Sequence, residues 1–135
     1  MRKTLTLHTD SKEEIIDITP DIENMVQASG ISEGIALVFP HHTSSSVYLS
    51  DSDRRLTEDF KKILSELVPD ERHYFHNETD YKKNAAGHLK AILSGPSVTL
   101  PVTEGKLDLG IYQTIYYFEF DGMRDKEVII KIIGE

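Results

Sequence analysis

Histidine and hydroxyl side chains are concentrated in one short segment that follows the apolar run 35–39 and Pro40. The segment consists of His41, His42, Thr43, Ser44, Ser45 and Ser46. Because proline has no backbone donor to continue a ladder, the apolar run is predicted to be a buried strand that ends there. Hydroxyl and backbone N–H groups in the loop that follows, at Thr43, Ser44 and Ser45, are suited to bind an anion. A solvated turn with incidental histidines is the alternative.

Three histidines lie in segments where a site could form: His42 in this loop, His76 in an irregular segment, and His88 in a predicted helix. Three neutral imidazoles with an open fourth position make a catalytic zinc-type site. Their spacing gives no local motif such as His-Glu-x-x-His, so structural or surface histidines are the alternative. His41 and His42 point to opposite sides of an extended backbone, so at most one of them enters a given site.

Other catalytic chemistry has less support in the sequence. Adjacent Ser and His residues do not reach the geometry of a nucleophile and its base, and there is no Gly-x-Ser-x-Gly elbow. No phosphate-binding loop or dinucleotide fingerprint occurs. Asp51 and Asp53 are interpreted as helix-start residues, with a cation ligand or a base as the alternative. Glu119 lies in an apolar strand, so we expect it to pair with Arg124 or a ligand.

The elements that must position these residues follow the order strands, helix, strands, two helices, strands. A helix is predicted from Thr19, which would cap it, and a second over 53–67, capped by Ser52. A third is predicted over 85–93, capped by Asn84, with three apolar side chains facing inward. These are Leu89, Ile92 and Leu93. The order indicates an α+β fold with mostly antiparallel or mixed sheets, in a sandwich or barrel-like core with about three helices.

The segment 111–120 alternates as a long strand, and bulky side chains lie on both of its faces. Such a strand is expected to be buried on both sides or by a subunit contact, and we predict that a neighbouring subunit covers it. Asp121 and Gly122, which follow it, predict a hairpin turn.

The composition limits the classes of function. The 135 residues suit a single domain over 1–135, and the net charge of −8 argues against nucleic acid as a partner. It leaves room for one small phosphate held by a few local donors. The chain has no cysteine, hence no thiolate metal site, and no apolar run of membrane-spanning length. With no signal-like start, these features predict a cytoplasmic protein without a membrane partner.

Several short motifs occur together in a fixed order between about residues 34 and 134. They are Val38-Phe39, His42-Thr43-Ser44, Asp51-Ser52-Asp53, Asp59, His76, Asn84-Ala85-x-x-His88-Leu89-Lys90, Gly95-Pro96-Ser97, Pro101-Val102, Gly105-x-Leu107-x-Leu109-Gly110-x-x-Gln113 and Glu119-x-Asp121-Gly122-x-Arg124. In this ordered combination the chain resembles the YjbQ-like family, also called the secondary thiamine-phosphate synthase family. It differs from the family pattern at Ser50-Asp51, Tyr112 and Met123.

The resemblance implies a compact α+β domain that forms a homotrimer and has thiamine-phosphate synthase activity. It implies that His42, His76 and His88 are ligands of a metal or phosphate, with zinc or magnesium as the suspected ion. It implies that Asn84 and Gln113 orient the substrate and that Arg124 contacts a phosphate. Together with the loop hydroxyls of Thr43, Ser44 and Ser45, these residues form the expected substrate site. Catalytic roles are expected for His42, Asn84 and His88, and for Asp51, where the departure from the family pattern shortens the side chain by one methylene.

The resulting hypothesis is an enzyme that acts on small phosphorylated molecules and joins a pyrimidine diphosphate to a thiazole phosphate. Catalysis would then consist of binding the diphosphate, neutralising its charge and positioning the thiazole nitrogen. Two alternatives stay open: a non-catalytic trimeric protein that binds a metal or an anion, and a metal-dependent hydrolase.

Overall fold

Strands and helices follow one another in the expected order in the computed structural model, which describes residues 1–79 and 81–135. The elements are β1 Arg2–His8, β2 Glu14–Asp17, α1 Thr19–Ser29, β3 Gly34–Pro40, β4 Ser45–Asp51, α2 Arg54–Leu67, α3 His76–Thr79, α4 Ala85–Ser94, β5 Val98–Thr103, β6 Lys106–Leu107, β7 Gln113–Glu119 and β8 Asp125–Gly134. Position 80, within the predicted irregular segment 70–83, lies outside the described residues. None of the helices in the described ranges is both long and apolar enough to cross a bilayer.

The strands form two curled antiparallel sheets. One has the order β1-β8-β3-β5-β6 and the other has the order β2-β7-β4. Every strand pairing in the described residues is antiparallel. The prediction of a single α+β domain with antiparallel sheets is therefore confirmed, with four helices in the described part instead of about three.

The main core lies between the two sheets and α1. Ile22 and Val26 of α1 contact buried side chains of β3, β5, β7 and β8. Leu64 of α2 and Ala91 of α4 form a second cluster with Phe118 and with Phe120, which follows β7. Side chains of β7 thus contribute to both clusters, because successive residues of a strand face opposite sides.

The bulky strand is covered by its own chain. All residues from 114 to 120 are buried, whereas Ile111 is 91% exposed and Tyr112 is 68% exposed. A neighbouring subunit is therefore not needed to bury β7 itself. The predicted hairpin at Asp121 and Gly122 is wrong, because β7 and β8 belong to different sheets and the turn connects them.

Two predicted helix caps are also corrected. Thr19 is the first residue of α1, and its hydroxyl accepts a hydrogen bond from the Ile115 N–H (2.8 Å) instead of capping the helix. Asp53, not Ser52, caps α2, because its carboxylate accepts from the Arg55 N–H at 2.9 Å. At α2 a neighbouring side chain replaces the expected cap, whereas the N-cap position of α1 is Ile18, which makes no side-chain cap.

Helix α4 faces the core with small residues, which overturns the predicted inward face. Ala85, Ala86, Gly87 and Ala91 are buried, while Ile92 is 73% exposed. Leu89 and Leu93 are exposed as well. The close approach is set at Gly87, where an added Cβ would lie 3.2 Å from the Phe120 carbonyl oxygen. Small residues bring α4 close to the sheet and leave its larger side chains on the outer surface.

Candidate functional site

The loop between β3 and β4 is fixed to strand β8 by two hydrogen bonds at Glu127. The His41 N–H donates to the Glu127 carbonyl at 3.0 Å, and the Glu127 N–H donates to His42 Nε2 at 2.8 Å. His42 therefore accepts through Nε2, and its neutral ring carries the proton on Nδ1. The contact with β8 therefore fixes the position of the His42 ring, and the Nδ1–H of the ring is its remaining polar group.

Helices α3 and α4 supply the other two histidines of the predicted set. The rings of His76 and His88 lie edge to face, with 5.2 Å between their centroids. His88 Nδ1 donates to the Thr43 carbonyl oxygen at 3.1 Å, which joins α4 to the histidine loop. His76 Nε2 donates to Asn84 Oδ1 at 3.2 Å. The fold thus brings imidazoles from three separate segments to one place.

A carboxylate behind the histidines holds two of the predicted residues. Asp121 Oδ2 accepts from Asn84 Nδ2 at 3.2 Å and from Arg124 Nη2 at 2.9 Å. Asn84 stands at the N-terminus of α4 but makes no side-chain cap there; the Ala85 N–H donates instead to Asn77 Oδ1. Its amide is therefore available to bridge His76 and Asp121.

These residues line a polar cavity of about 490 Å³. Its lining consists of His41, His42, Thr43, Ser44, His76, Lys82, Asn84, His88, Arg124 and Lys126. Three of these side chains are cations, and none of the described residues in the lining is Asp or Glu. Arg124 and Lys126 are paired with Asp121 and Glu119, which lie outside the lining, and the N–H and hydroxyl donors that line the cavity suit an anion.

A larger and mainly apolar cavity of about 800 Å³ shares a wall with the polar one. The shared residues are His42, Thr43, His76 and His88. Beyond this wall the apolar cavity is lined by aromatic and aliphatic side chains and by Ser45. These include Phe39, Tyr74, Phe75, Leu89, Ile92 and Pro96. The site therefore has a polar half and an apolar half that meet at the histidines.

Lys126, which lines the polar cavity, belongs to a buried ion pair. Lys126 Nζ lies 2.8 Å from Glu119 Oε2, and their side chains are 3% and 0% exposed. Glu119 also accepts from the Tyr117 hydroxyl, and Lys126 donates to Ser44 Oγ at 3.4 Å. The expected partner Arg124 is thus corrected to Lys126, since Arg124 pairs with Asp121.

Burial and the nearby Lys126 charge lower the pKa of His42 below its ordinary value of 6.5. Burial and the hydrogen bond to Glu119 raise the pKa of the Tyr117 hydroxyl. At neutral pH the His42 ring is therefore a neutral donor through Nδ1, and Tyr117 keeps its proton.

The residues as placed do not fit a three-histidine metal site. His42 uses the lone pair of Nε2 for the Glu127 N–H, so its protonated Nδ1 has no lone pair for a metal. His76 and His88 each use one ring nitrogen in a hydrogen bond, so each offers at most one further nitrogen and the set gives two ligands at most. Within the described ranges, no group of three or more His, Cys, Asp or Glu side chains is arranged to hold a metal ion.

Two of the predicted site residues lie elsewhere in the chain. Asp51 and Gln113 face each other in the register of β4 and β7, at the end of β4 opposite to Ser45. Six residues of strand span about 20 Å. The Asp51 carboxylate accepts from the Asp53 N–H at 2.9 Å, and Gln113 Oε1 accepts from the Gly110 N–H at 2.7 Å. Both side chains stabilise local turns and line neither cavity.

Sequence reasoning missed Lys82, Lys126 and the aromatic pair Tyr74 and Phe75 among the cavity residues. Lys126 stands between Asp125 and Glu127, and such a run of charged residues is typical of an exposed segment, so the sequence did not indicate that Lys126 is buried. The sequence indicated only that Glu119 pairs with some cation, because a carboxylate in an apolar strand needs a charged partner.

The comparisons with known proteins agree over nearly the whole chain. A family model described as UPF0047 protein YjbQ-like matches residues 3–135. A UPF0047 protein of Archaeoglobus fulgidus is 42% identical over 129 residues, 96% of this chain and 98% of the relative. UPF0047 protein YugU of Bacillus subtilis is 34% identical over 137 residues, covering 99% of this chain and 100% of the relative.

Solved structures show the same fold. A YbjQ-like protein of unknown function from Sulfolobus solfataricus P2 matches with a TM-score of 0.95 and 34% identity, over 100% of this chain and 97% of its own. A hypothetical protein from Aeropyrum pernix K1 matches with a TM-score of 0.94 and 30% identity, over 100% of this chain and 99% of its own.

Proposed function

The chain belongs to the UPF0047 protein YjbQ-like family, and we propose that it is an enzyme acting on small phosphorylated molecules. The specific reaction proposed is the formation of thiamine phosphate from a pyrimidine diphosphate and a thiazole phosphate. The observation that carries the proposal is the polar cavity, with Lys82, Arg124 and Lys126 in its lining and no described acid among them.

The two halves of the site match the two halves of such a substrate. The polar cavity is suited to the diphosphate, and the apolar cavity, lined by Tyr74 and Phe75, is suited to the planar ring. The bond between ring methylene and diphosphate would then lie at the shared wall, beside His42 and His88. This position would place imidazoles and cations together around the bond that breaks.

Catalysis of the proposed reaction depends on stabilising the negative charge of the leaving pyrophosphate more than on proton transfer. The thiazole nitrogen attacks the methylene carbon of the pyrimidine diphosphate, and a C–N bond forms. The C–O bond to the diphosphate breaks, and pyrophosphate leaves with the electron pair. Since the attacking nitrogen carries no proton, the site must hold the leaving group and align the nucleophile. The His42 Nδ1–H and the cations provide donors for the developing negative charge.

Pyrophosphate release tests the proposal. Purified protein given both half-substrates and Mg²⁺ should release pyrophosphate, and release should depend on the thiazole phosphate. His88→Ala should lower the rate by about 100-fold, because the ring holds the histidine loop through the Thr43 carbonyl and a small misplacement of site groups costs this much. His8→Ala is the matched control, because His8 is exposed and pairs with Asp125 on β8. Equal rates in wild type and His88→Ala would remove the assigned site.

The same cavity supports a second candidate, a non-catalytic anion-binding protein, because its cations would bind pyrophosphate without any reaction. That candidate predicts pyrophosphate binding with no release from the half-substrates at any enzyme concentration. Turnover that His88→Ala abolishes would exclude it.

A further inference from the structure

We infer that Asp121 is a positioning residue of this site, whose carboxylate aims Arg124 and, through Asn84, His76 at the bound phosphate. The inference rests on the proposed phosphate site and adds a residue that lines neither cavity. Asp121 would act only through the side chains that it holds.

Asp121 connects two segments whose side chains line the polar cavity. One oxygen, Oδ2, receives Arg124 Nη2 at 2.9 Å and Asn84 Nδ2 at 3.2 Å. The other end of the Asn84 amide receives His76 Nε2 at 3.2 Å. One carboxylate thus orients Arg124 directly and His76 through Asn84, and both of these side chains line the polar cavity. Hydrogen bonds to a charged acceptor are the stronger kind, so they restrict these rotamers.

The backbone around Asp121 is itself held in place. The Asp121 N–H donates to Glu119 Oε2 at 3.0 Å, the same oxygen that receives Lys126 Nζ at 2.8 Å. The next residue, Gly122, donates to the Lys12 carbonyl at 2.9 Å, and a Cβ there would lie 2.0 Å from Thr9 Oγ1. The turn that carries Asp121 and Arg124 is therefore anchored to the segment between β1 and β2.

Charge repulsion and a positioning role predict opposite effects of Asp121 on the affinity for phosphate. A negative charge beside an anion site repels the anion, so neutralising it should tighten phosphate binding. A positioning role predicts weaker binding, because Arg124 and His76 would then sample rotamers that point away from the phosphate. The sign of the change in affinity separates the two explanations.

The test is the binding of inorganic pyrophosphate, measured by isothermal titration calorimetry, to wild type, Asp121→Asn and Asp121→Glu. The first variant removes the charge, and the second keeps the charge but moves it by one methylene group. We expect both to bind about tenfold more weakly, the scale of a lost hydrogen bond to a charged group. Asp125→Asn is the matched control, because Asp125 is exposed, pairs with His8 and should leave the affinity unchanged.

A double variant checks that Asp121 acts through Arg124. In an Arg124→Ala background, Asp121→Asn should weaken binding by a smaller factor than it does in wild type, since one of its two targets is gone. Tighter or unchanged binding in Asp121→Asn, or unchanged binding in Asp121→Glu, would overturn the inference and leave the proposed function standing. If Asp121→Asn fails to fold, Asp121→Glu decides alone. Wild type that binds no pyrophosphate would overturn both.

Discussion

At the scale of single residues, the hydrogen bond of His42 is the most informative contact of the site. Because its Nε2 accepts from the Glu127 N–H, the ring is held neutral and presents Nδ1–H as a donor. Sequence reasoning correctly selected His42 as a cavity residue, but the backbone N–H of a distant strand determines which nitrogen carries the proton. That partner lies 85 positions away in the chain, so no local motif could indicate it.

The lowered pKa of His42 predicts how stability depends on pH. Burial and Lys126 disfavour the charged ring in the folded state, so the unfolded state binds the proton more readily. The stabilising contribution is then fully present above pH 6.5 and is lost as the pH falls from 6.5 through the folded pKa. Urea unfolding at a series of pH values should show a shallower loss of stability on acidification in His42→Gln than in wild type. Parallel curves for the two proteins would contradict this.

The buried pair of Glu119 and Lys126 should be sensitive to the removal of either partner. Glu119→Gln leaves the Lys126 charge without its counterion, and breaking a buried pair in this way costs about 3–5 kcal/mol. Urea unfolding measures the loss. Glu78→Gln is the control, since its pair with His73 is exposed and its loss should stay below about 1 kcal/mol. Similar losses for both variants would show that the ion pair is not what stabilises the strand.

At the scale of elements, much of the fold was predictable from hydrophobic patterns and turn residues. Strand alternation and the amphipathic pattern of α2 were indicated by residues close in sequence. The inward face of α4 was not, because Ala and Gly pack closely on Phe120 while Ile92 lines the apolar cavity. Hydrophobicity alone does not separate a core face from a cavity wall.

The capping of α2 is a local test of the structure. Asp53 accepts a hydrogen bond from the Arg55 N–H, whereas Ser52, the cap expected from the sequence, lies outside the helix. Asp53→Ala should therefore lower the urea midpoint, and Ser52→Ala should leave it nearly unchanged. The reverse order of the two variants would mean that the helix begins one residue earlier.

At the scale of the whole molecule, exposed apolar side chains remain around the folded chain. Ile111 and Tyr112 precede β7 at one end of the three-stranded sheet, and both are mostly exposed. Exposed large apolar groups of this kind are typical of interaction surfaces. We therefore propose the homotrimer implied by the family resemblance. Light scattering should give three times the chain mass of 15.3 kDa, and Ile111→Asp should lower it. A stable monomer would refute the trimer.

The topology of the whole molecule determines which of the predicted residues form the site, and the sequence alone did not show this. His42, Asn84 and Arg124 come together only because α4 packs on β4 and the turn after β7 folds back to it. Asp51 and Gln113 share the motifs of the resemblance but lie at the far end of the same strands. Residue types indicated the chemistry, and the topology decided which residues meet.

The central claim is that the polar cavity binds a phosphate group, and pyrophosphate titration tests it most directly. Isothermal titration of wild type should show saturable binding. Arg124→Ala should weaken that binding by about tenfold, because a charge-assisted contact is lost. Arg2→Ala, which removes an exposed arginine of β1 that lines neither cavity, should bind as wild type does. Absence of binding to wild type, or equal affinity in Arg124→Ala, would contradict the account.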